Sequence, residues 1–351
     1  MNKKIRRLSL AFSVVFMVSV VVGPQFLATV GAKKPTVTYY PDDEYTQILG
    51  KLGGADYEFL IPDNWNGMLI VGCRGYTHEL PTVPFPYEES PMHGTALYFM
   101  NATPFPVPPG PRFAFAWSNY GEGGFCVKEG MIRTNQLTEY ILDNYDVTGK
   151  VFLLGYSMGG LIACMLGEKY PDLYDGVLDV CGPKDMTSMY YYKKAIADLP
   201  PNPAAIRAYL NGPPAYIPTE VTDAINTTQA IFFRMFQTVS LADIVMACGG
   251  TPETKPKAFE RWSPTYHADI TIPVISIIGE VDFTVIIEQF DMYYDAVEEA
   301  GALDYYRSYT IAGGGHVDAP VITAIPMNFF GRLVPWVVSG IAPGPTPPPI
   351  L

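Results

Sequence analysis

The sequence Gly-Tyr-Ser-Met-Gly at positions 155–159 places a serine between two glycines. An apolar run at 151–154 precedes it, and a pattern typical of a helix follows. A serine on such a sharp turn from strand to helix presents its hydroxyl above a sheet, and the glycines are needed because a side chain there would collide with the neighbouring strand or helix. We therefore expect Ser157 to be a nucleophile. The alternative is that Ser157 only caps the helix that begins near Met158.

A histidine base and an acid must accompany such a serine, because a serine hydroxyl is a weak nucleophile at neutral pH. The apolar run at 273–278 predicts a strand, and Asp282 follows in the loop beyond its end. The run at 305–311 predicts the next strand, and three glycines then lead to His316. The order serine, acid, histidine is the one expected with this kind of turn. The sequence thus predicts that Asp282 orients His316 and that His316 activates Ser157.

Other acids and histidines leave alternatives to this assignment. Glu280 stands just before Asp282, and Asp318 stands two residues past His316, so either could take the place of Asp282, which we favour. The other three histidines all precede Asp282 in the chain and are expected to be surface or packing residues: His78, His93 and His267.

Strands and helices able to hold these residues can be read from the apolar patterning. Strands are predicted at 57–61, 68–71, 113–117, 150–154, 176–180, 273–278 and 305–311. Helices are predicted at 131–145, 161–169, 285–300 and 322–338. The alternation of strand and helix after position 150 is typical of an α/β fold with a mostly parallel central sheet and helices on both faces.

Two stretches interrupt this alternation. Nine prolines fall within 81–111, which we interpret as a surface loop without regular structure. Residues 183–264 lie between two predicted strands and contain a helical pattern at 226–239, so we expect an inserted helical cap above the sheet. Its large apolar side chains could line a substrate pocket, although most of them could equally form the core of the cap: Met186, Met189, Tyr190, Tyr191, Tyr192, Phe232, Phe233, Met235 and Phe236.

The composition excludes several classes of protein. The chain has 351 residues, of which 48% are hydrophobic and 17% charged, enough apolar material for a large core and too much for a disordered chain. Its formal net charge is −12, and no basic run occurs after the first few residues. Nucleic-acid binding is disfavoured, because it needs clustered cations.

The first 32 residues resemble an export signal. Four cations are followed by an uncharged stretch at 8–32 that ends in Val-Gly-Ala, which predicts a signal peptide cleaved after Ala32 and a secreted protein. The alternative is an uncleaved membrane anchor facing outside, because 25 uncharged residues can span a bilayer. Membrane contact is expected only in that case. Cleavage would remove the four cations and change the net charge from −12 to −16.

The cysteines argue against a metal or redox centre. Five are scattered along the chain without a C-x-x-C pair: Cys73, Cys126, Cys164, Cys181 and Cys248. The odd number leaves at least one thiol unpaired, and Cys164, within a helical apolar pattern, is interpreted as a small buried residue.

Several segments between about 55 and 320 together resemble the α/β-hydrolase superfamily, particularly its secreted esterase and peptidase-like members. They are Trp-Asn-Gly-Met-Leu-Ile-Val at 65–71, Arg-Gly-Tyr at 74–76, the turn at 155–160, Tyr-Pro-Asp-Leu-Tyr-Asp-Gly at 170–176, Gly-Glu-Val-Asp at 279–282 with Val285, and Gly-His at 315–316. The resemblance implies an α/β-hydrolase core at 33–182 and 265–341, the cap at 183–264 and a proline-rich tail at 342–351. These motifs are specific for the superfamily and do not define the substrate.

The resemblance also implies acyl transfer without a metal or an organic cofactor. Ser157 would attack an ester or amide carbonyl, His316 would take and return the proton, and Asp282 would hold the imidazole and stabilise its cation. In this superfamily a His-Gly-x turn supplies one backbone N–H of the oxyanion hole. Here Arg74 stands in place of the histidine, so Tyr76 and Met158 are the expected donors.

The expected partner is a small-molecule ester or a peptide-like substrate. Hydrolysis of carboxylic esters is favoured, and a peptidase-like amide hydrolase is the second possibility. The third is a non-catalytic binding module on a hydrolase fold.

Overall fold

A single nine-stranded sheet forms the centre of the protein in the computed structural model, which describes residues 34–78, 91–101, 112–317 and 325–344. The strands are β1 (Thr36–Tyr40), β2 (Tyr45–Leu52), β3 (Ala55–Pro62), β4 (Trp65–Cys73), β5 (Arg112–Ser118), β6 (Val151–Tyr156), β7 (Gly176–Val180), β8 (Val274–Gly279) and β9 (Tyr306–Ile311). Their order is β1-β2-β3-β5-β4-β6-β7-β8-β9. The pairs from β1 to β3 and from β3 to β5 are antiparallel, and all pairs from β5 to β9 are parallel. The mostly parallel sheet predicted from the sequence is confirmed, with two additional strands, β1 and β2, at the antiparallel edge.

Ten α-helices accompany the sheet in the described parts of the chain. They are α1 (Pro91–Asn101), α2 (Val127–Asn144), α3 (Met158–Lys169), α4 (Met186–Asp198), α5 (Pro203–Asn211), α6 (Thr219–Thr222), α7 (Thr227–Cys248), α8 (Pro256–Arg261), α9 (Glu288–Glu299) and α10 (Ile325–Ser339). The apolar faces of α2, α3 and α9 pack on one side of the sheet, and those of α1 and α10 pack on the other. Because helices cover both faces, β6, β7 and β8 are buried along their whole length, which explains why their sequences are apolar except at a few positions such as Asp179 and Ser276.

The prediction that 81–111 has no regular structure was wrong, since α1 lies inside this stretch. Pro91 is the first residue of α1, where the missing backbone N–H of proline breaks no helical hydrogen bond. The other prolines of the stretch all lie outside this helix. The side chain of His93 on α1 is buried, and its Nδ1 lies 2.7 Å from Oε1 of Glu58 in β3. His93 is therefore a packing residue, as expected.

Residues 183–264 contain five helices, α4 to α8, and no strand. This segment has a small apolar core of its own, formed mainly by α4, α5 and α7 together with Ile286. By length and composition α7 is the one helix in the described parts of the chain that could cross a membrane. It begins with a capping box made by Asn226 and Gln229, and it packs against α4 within the segment.

A buried ion pair lies under the start of α3. The ammonium group of Lys184, completely buried, binds the equally buried carboxylate of Asp179 and lies 3.2 Å from Sγ of Cys164. Asp179 also accepts a hydrogen bond from the Gly182 N–H at 3.0 Å. Burial is the largest single influence on the pKa of Lys184 and lowers it, but Asp179, with smaller contributions from Cys164 and Tyr306, raises the pKa above its usual value, so the amine stays protonated.

We expect Lys184→Met to lower the free energy of unfolding by about 3–5 kcal/mol, because it leaves the Asp179 carboxylate buried without its cation. Urea unfolding measures the change. Adding Asp179→Asn to this variant is expected to restore part of the loss, since the amide removes the charge and still accepts from the Gly182 N–H. An unchanged unfolding midpoint in the single variant would contradict this account of the pair.

The remaining sequence predictions are tested only in part. All five cysteines are buried and free, including Cys164 on α3. Of the proline-rich tail, the carbonyl groups of Pro343 and Gly344 accept hydrogen bonds from Arg307 and Tyr309 of β9. The predicted signal peptide at 1–32, Asp318 and most of the tail lie outside the described residues.

Candidate active site

Ser157 stands at the turn between β6 and α3. Its φ of 53° lies in the left-handed region, which non-glycine residues rarely adopt. A Cβ on Gly159 would lie 1.9 Å from the carbonyl oxygen of Cys73, and one on Gly155 would lie 2.1 Å from the carbonyl oxygen of Gly159. Both glycines are thus required for the close approach of helix and sheet. Ser157 makes no side-chain cap hydrogen bond to α3, so capping does not explain this residue.

A continuous chain of hydrogen bonds joins the three residues selected from the sequence. Oγ of Ser157 lies 2.9 Å from Nε2 of His316, and Nδ1 of His316 lies 2.7 Å from Oδ2 of Asp282. The other carboxylate oxygen, Oδ1, accepts from the backbone N–H groups of Thr284 at 2.8 Å and Val285 at 2.9 Å. The structure brings together residues that are 159 and 34 positions apart in sequence.

The contacts of His316 determine how its protons are arranged. A carboxylate can only accept hydrogen bonds, so Nδ1 of His316 carries a proton and donates it to Asp282. In the neutral imidazole, Nε2 is then free to accept the proton of Ser157. Asp282 is almost completely buried, whereas the Ser157 and His316 side chains are partly exposed. A substrate can therefore reach the serine while the carboxylate remains shielded from water.

Glu280, the alternative acid, lies apart from this chain of hydrogen bonds. It is exposed, and its Oε2 accepts from the backbone N–H of Gly313 at 2.8 Å. Glu280 therefore fixes the loop that leads to His316 and makes no contact with the imidazole.

The loop at 74–76 lies against the turn that carries Ser157. A Cβ on Gly75 would lie 3.2 Å from the carbonyl oxygen of Tyr156 and 3.4 Å from Cβ of Ser157. Met158 is the first residue of α3, where backbone N–H groups have no acceptor within the helix. The N–H groups of Tyr76 and Met158 thus belong to two segments that meet beside Ser157, the arrangement that an oxyanion hole requires.

Arg74 fixes this loop, a role that was not assigned from the sequence. Its buried guanidinium donates to the carbonyl oxygen of Asn119 at 2.8 and 3.1 Å, to that of Gly75 at 3.0 Å and to Oγ1 of Thr77 at 3.0 Å. It also stacks 4.4 Å from the ring centroid of Tyr120. The planar fork of arginine can satisfy several carbonyl groups at once, which a histidine cannot do. The signal available in the sequence was an arginine directly before a glycine at the end of an apolar strand.

We expect Arg74→Ala to lower kcat by about tenfold or more, because the loop that carries the Tyr76 N–H loses its anchor. Steady-state kinetics with a neutral ester measures the loss. The matched control is Arg112→Ala at the start of β5, whose surface pair with Glu44 at 3.2 Å should contribute little. Equal kcat values for the two variants would argue against a positioning role of Arg74.

The side chain of Tyr76 connects the loop to α7. Its hydroxyl donates to Oδ2 of Asp243 at 2.6 Å, and its ring meets that of Phe236 edge to face with centroids 5.8 Å apart. Burial and the hydrogen bond to Asp243 raise the pKa of Tyr76, so the phenol stays protonated. The 183–264 segment therefore contacts the candidate oxyanion hole on the side of Tyr76.

A narrow pocket of about 30 Å³ opens at Ser157. Half of its lining comes from the 183–264 segment: Pro183, Met189, Lys193, Phe236, Ser240 and Ile244. Of the nine apolar side chains considered from the sequence, Met189 and Phe236 line this pocket, while Tyr191, Phe232 and Met235 are exposed and Phe233 packs on Phe283. A larger cavity of about 630 Å³ shares Phe125 with this pocket and is also lined by His78, Asp243, Met246 and Trp262.

Cys181 lies close to the acid and the histidine. Sγ of Cys181 and the nearest ligand atoms of Asp282 and His316 lie within 4.8 Å of one another, and these three residues form the one group in the described parts of the chain that could hold a metal ion. Burial, with a smaller contribution from Asp282, raises the pKa of Cys181, so the thiol is protonated and a poor metal ligand. Because Asp282 and His316 already bind each other, this group fits a hydrogen-bonded pair better than a metal site.

Comparisons with known proteins agree on the fold. No family model and no curated protein matches the sequence. An esterase from Aspergillus oryzae is similar with a TM-score of 0.53 at 16% identity, over 85% of this chain and 80% of that one. A puromycin-hydrolyzing peptidase of Mycobacterium tuberculosis gives a TM-score of 0.52 at 14% identity, over 84% of this chain and 40% of that one. An acylaminoacyl peptidase of Pyrococcus horikoshii gives 0.50 at 14% identity, over 86% and 42%.

The chain spans about two fifths of the length of these two peptidases, so the likeness concerns one part of each. The strand order, the turn at Ser157 and these structural neighbours show that the chain has the fold of the α/β-hydrolase superfamily.

Proposed function

We propose that the protein is a serine hydrolase that cleaves carboxylic esters through an acyl-enzyme on Ser157. The observation that carries this proposal is the unbroken chain of hydrogen bonds from Ser157 through His316 to Asp282, at 2.9 and 2.7 Å. This arrangement makes the serine a nucleophile at neutral pH.

The reaction follows from the positions of the atoms. Oγ of Ser157 attacks the carbonyl carbon while Nε2 of His316 takes its proton, and the imidazolium so formed is stabilised by Asp282. The N–H groups of Tyr76 and Met158 hold the developing oxyanion. His316 then gives the proton to the leaving alcohol. In the second half of the reaction His316 takes a proton from water, the water oxygen attacks the acyl-enzyme, and His316 returns the proton to Oγ of Ser157.

The sizes of the two cavities suggest which part of a substrate each of them holds. The pocket at Ser157 is much smaller than the second cavity, about 30 against about 630 Å³, so it takes the smaller moiety of the substrate. The 630 Å³ cavity is large enough for the rest of a drug-sized molecule. This division supports esters that combine a short acyl group with a bulkier alcohol.

A fluorophosphonate probe tests whether the site is catalytic at all. The proposal expects one probe per chain, bound to Ser157 and absent from the Ser157→Ala variant, with loss of ester hydrolysis in proportion to labelling. An unlabelled chain would support the alternative of a non-catalytic binding module on the hydrolase fold.

A substrate panel tests esters against amides. We expect nitrophenyl esters of short acids to be turned over with a higher kcat/KM than aminoacyl arylamides with comparable leaving groups. The structural neighbours include peptidases, so the reverse order would point to a peptidase-like amide hydrolase and would leave the roles of Ser157, His316 and Asp282 intact.

A further inference from the structure

Two lysines are buried among the described residues, and they differ in their partners. Lys184 is paired with the Asp179 carboxylate. Lys193, on α4, is only 4% exposed, yet no carboxylate of the described residues lies within ion-pair distance of its amine. Lysine is almost never fully buried without a partner, because removing an ammonium group from water is costly. The position of Lys193 therefore calls for a functional explanation.

The surroundings of Lys193 contain more hydrogen-bond donors than acceptors. Nζ donates to Oε1 of Gln237 at 2.5 Å and lies 5.6 Å from the ring centroid of Phe236. The Gln237 side chain is completely buried, and its Nε2 has no hydrogen-bond partner among the described residues. Nζ carries three N–H donors, and the one acceptor that it contacts among the described residues is Oε1 of Gln237, while the two donors of Nε2 have none. An anion at this place would supply the missing acceptors.

Lys193 also lines the narrow pocket that contains Ser157. Its neighbours in the pocket are mostly apolar, with Met189, Phe236 and Ile244 on the same segment. A charged group beside the reacting serine in such surroundings interacts strongly with a charge on the substrate, because little water is present to screen it. The nearest negative group in the site, Asp282, already accepts three hydrogen bonds.

We propose that Lys193 selects substrates carrying a carboxylate on the moiety that enters the narrow pocket, as in a half-ester of a dicarboxylic acid. This inference rests on the proposed function and names its substrate class. A carboxylate in the pocket would supply acceptors for the N–H groups of Nζ that Oε1 of Gln237 leaves unpaired. A carboxylate is also the smallest organic anion and suits a pocket of about 30 Å³.

The charge of Lys193 depends on what occupies the pocket. Burial lowers the pKa of Lys193 to about 7, and the charge of Asp282 opposes the shift only in part. A carboxylate bound at Nζ would raise this pKa again and keep the amine charged.

The experiment compares two esters of equal chain length. Mono-4-nitrophenyl glutarate carries a carboxylate at the end of its acyl chain, and 4-nitrophenyl pentanoate carries a methyl group there. Their kcat/KM values are measured for the wild type, Lys193→Met and Lys193→Arg, with Ser157→Ala as the blank for spontaneous hydrolysis. Lys194→Met is the matched control, because Lys194 is the next residue, is exposed and pairs with Asp198 on the surface.

We expect the wild type to prefer the glutarate ester, and Lys193→Met to lower the ratio of the two kcat/KM values by about 30-fold or more, mainly through KM. Lys193→Arg should retain part of the preference, and Lys194→Met all of it. An unchanged ratio in Lys193→Met, or an equal loss for both esters, would overturn the proposal. Lys193→Met should fold, since methionine has a similar shape and removes an unpaired buried amine.

A binding measurement separates this proposal from that of ester hydrolysis. Monomethyl glutarate should bind to Ser157→Ala in calorimetry and should not bind once Lys193→Met is added. Such binding without turnover of either nitrophenyl ester would refute the proposed ester hydrolysis and support the anion site at Lys193. Turnover without lysine-dependent binding would refute the anion site and support ester hydrolysis.

A third substrate distinguishes the source of the carboxylate. N-benzoylglycyl-phenylalanine presents a carboxylate at the end of a peptide. Preferred hydrolysis of this amide, lost in Lys193→Met, would replace the half-ester by a peptide C-terminus as the group that Lys193 binds.

Discussion

Replacement of Ser157 by alanine is expected to lower kcat for a nitrophenyl ester by about 10⁴ or more, and replacement of His316 by alanine to a similar extent. The reason is the hydrogen bond between Oγ of Ser157 and Nε2 of His316, through which the histidine activates the serine as a nucleophile. The double variant should lose little more than either single variant, because each substitution already removes the whole function. Both variants should keep the wild-type unfolding midpoint within a small margin, since both side chains are partly exposed.

Single-turnover kinetics with an ester of good leaving group checks these values. Losses that multiply in the double variant would mean that serine and histidine act independently. Near-normal turnover in Ser157→Ala would show that another group attacks the carbonyl.

Asp282→Asn is expected to lower kcat/KM by about 10³ to 10⁴ with the fold preserved. An amide can accept from the Thr284 and Val285 N–H groups, but it can present an N–H to Nδ1 of His316 and so favour the wrong tautomer. It also cannot stabilise the imidazolium that forms during attack. The matched control is Glu280→Gln in the same loop, which should lose less than about threefold, because Oε1 of the amide can still accept from the Gly313 N–H.

A larger loss in Glu280→Gln than in Asp282→Asn would assign the acid to Glu280. If the unfolding midpoint fell in Asp282→Asn and not in Glu280→Gln, the lower kcat/KM would be due to a disrupted loop around Asp282 rather than to the loss of its role beside His316.

The buried part of the fold could be predicted from the sequence because burial on both faces leaves a simple pattern. Strands β6, β7 and β8 are mostly apolar runs, and the loops after β6, β8 and β9 carry the residues selected for chemistry. Strands β1 and β2 were not predicted. β1 is almost entirely exposed, so no apolar pattern marks it. The pair Gly53-Gly54 between β2 and β3 is a sequence pattern typical of a hairpin turn, and both of its φ angles are positive in the structure.

The candidate pocket could be predicted only in outline. The sequence indicated that 183–264 is helical and includes a helix near 226–239, yet α7 runs on to Cys248. Phe232 and Phe236 stand one turn apart on α7, but only Phe236 turns toward Ser157, and Phe232 is 59% exposed. Lys193 is preceded by three tyrosines and followed by a second lysine, and nothing in that run tells which lysine is buried. The packing of α4 against α7 determines which lysine is buried, and this contact joins segments far apart in the sequence.

The distance in sequence between Ser157 and His316 has a consequence for synthesis of the protein. The base follows the nucleophile by 159 positions, with the whole helical segment and three strands between them. At a synthesis rate of about 5–20 residues per second, the ribosome needs roughly 8–32 s to add this stretch. During that interval the growing chain contains the serine turn without its proton acceptor. Hydrolytic activity would therefore arise late, only in chains long enough to include His316 and to pair β9 with β8.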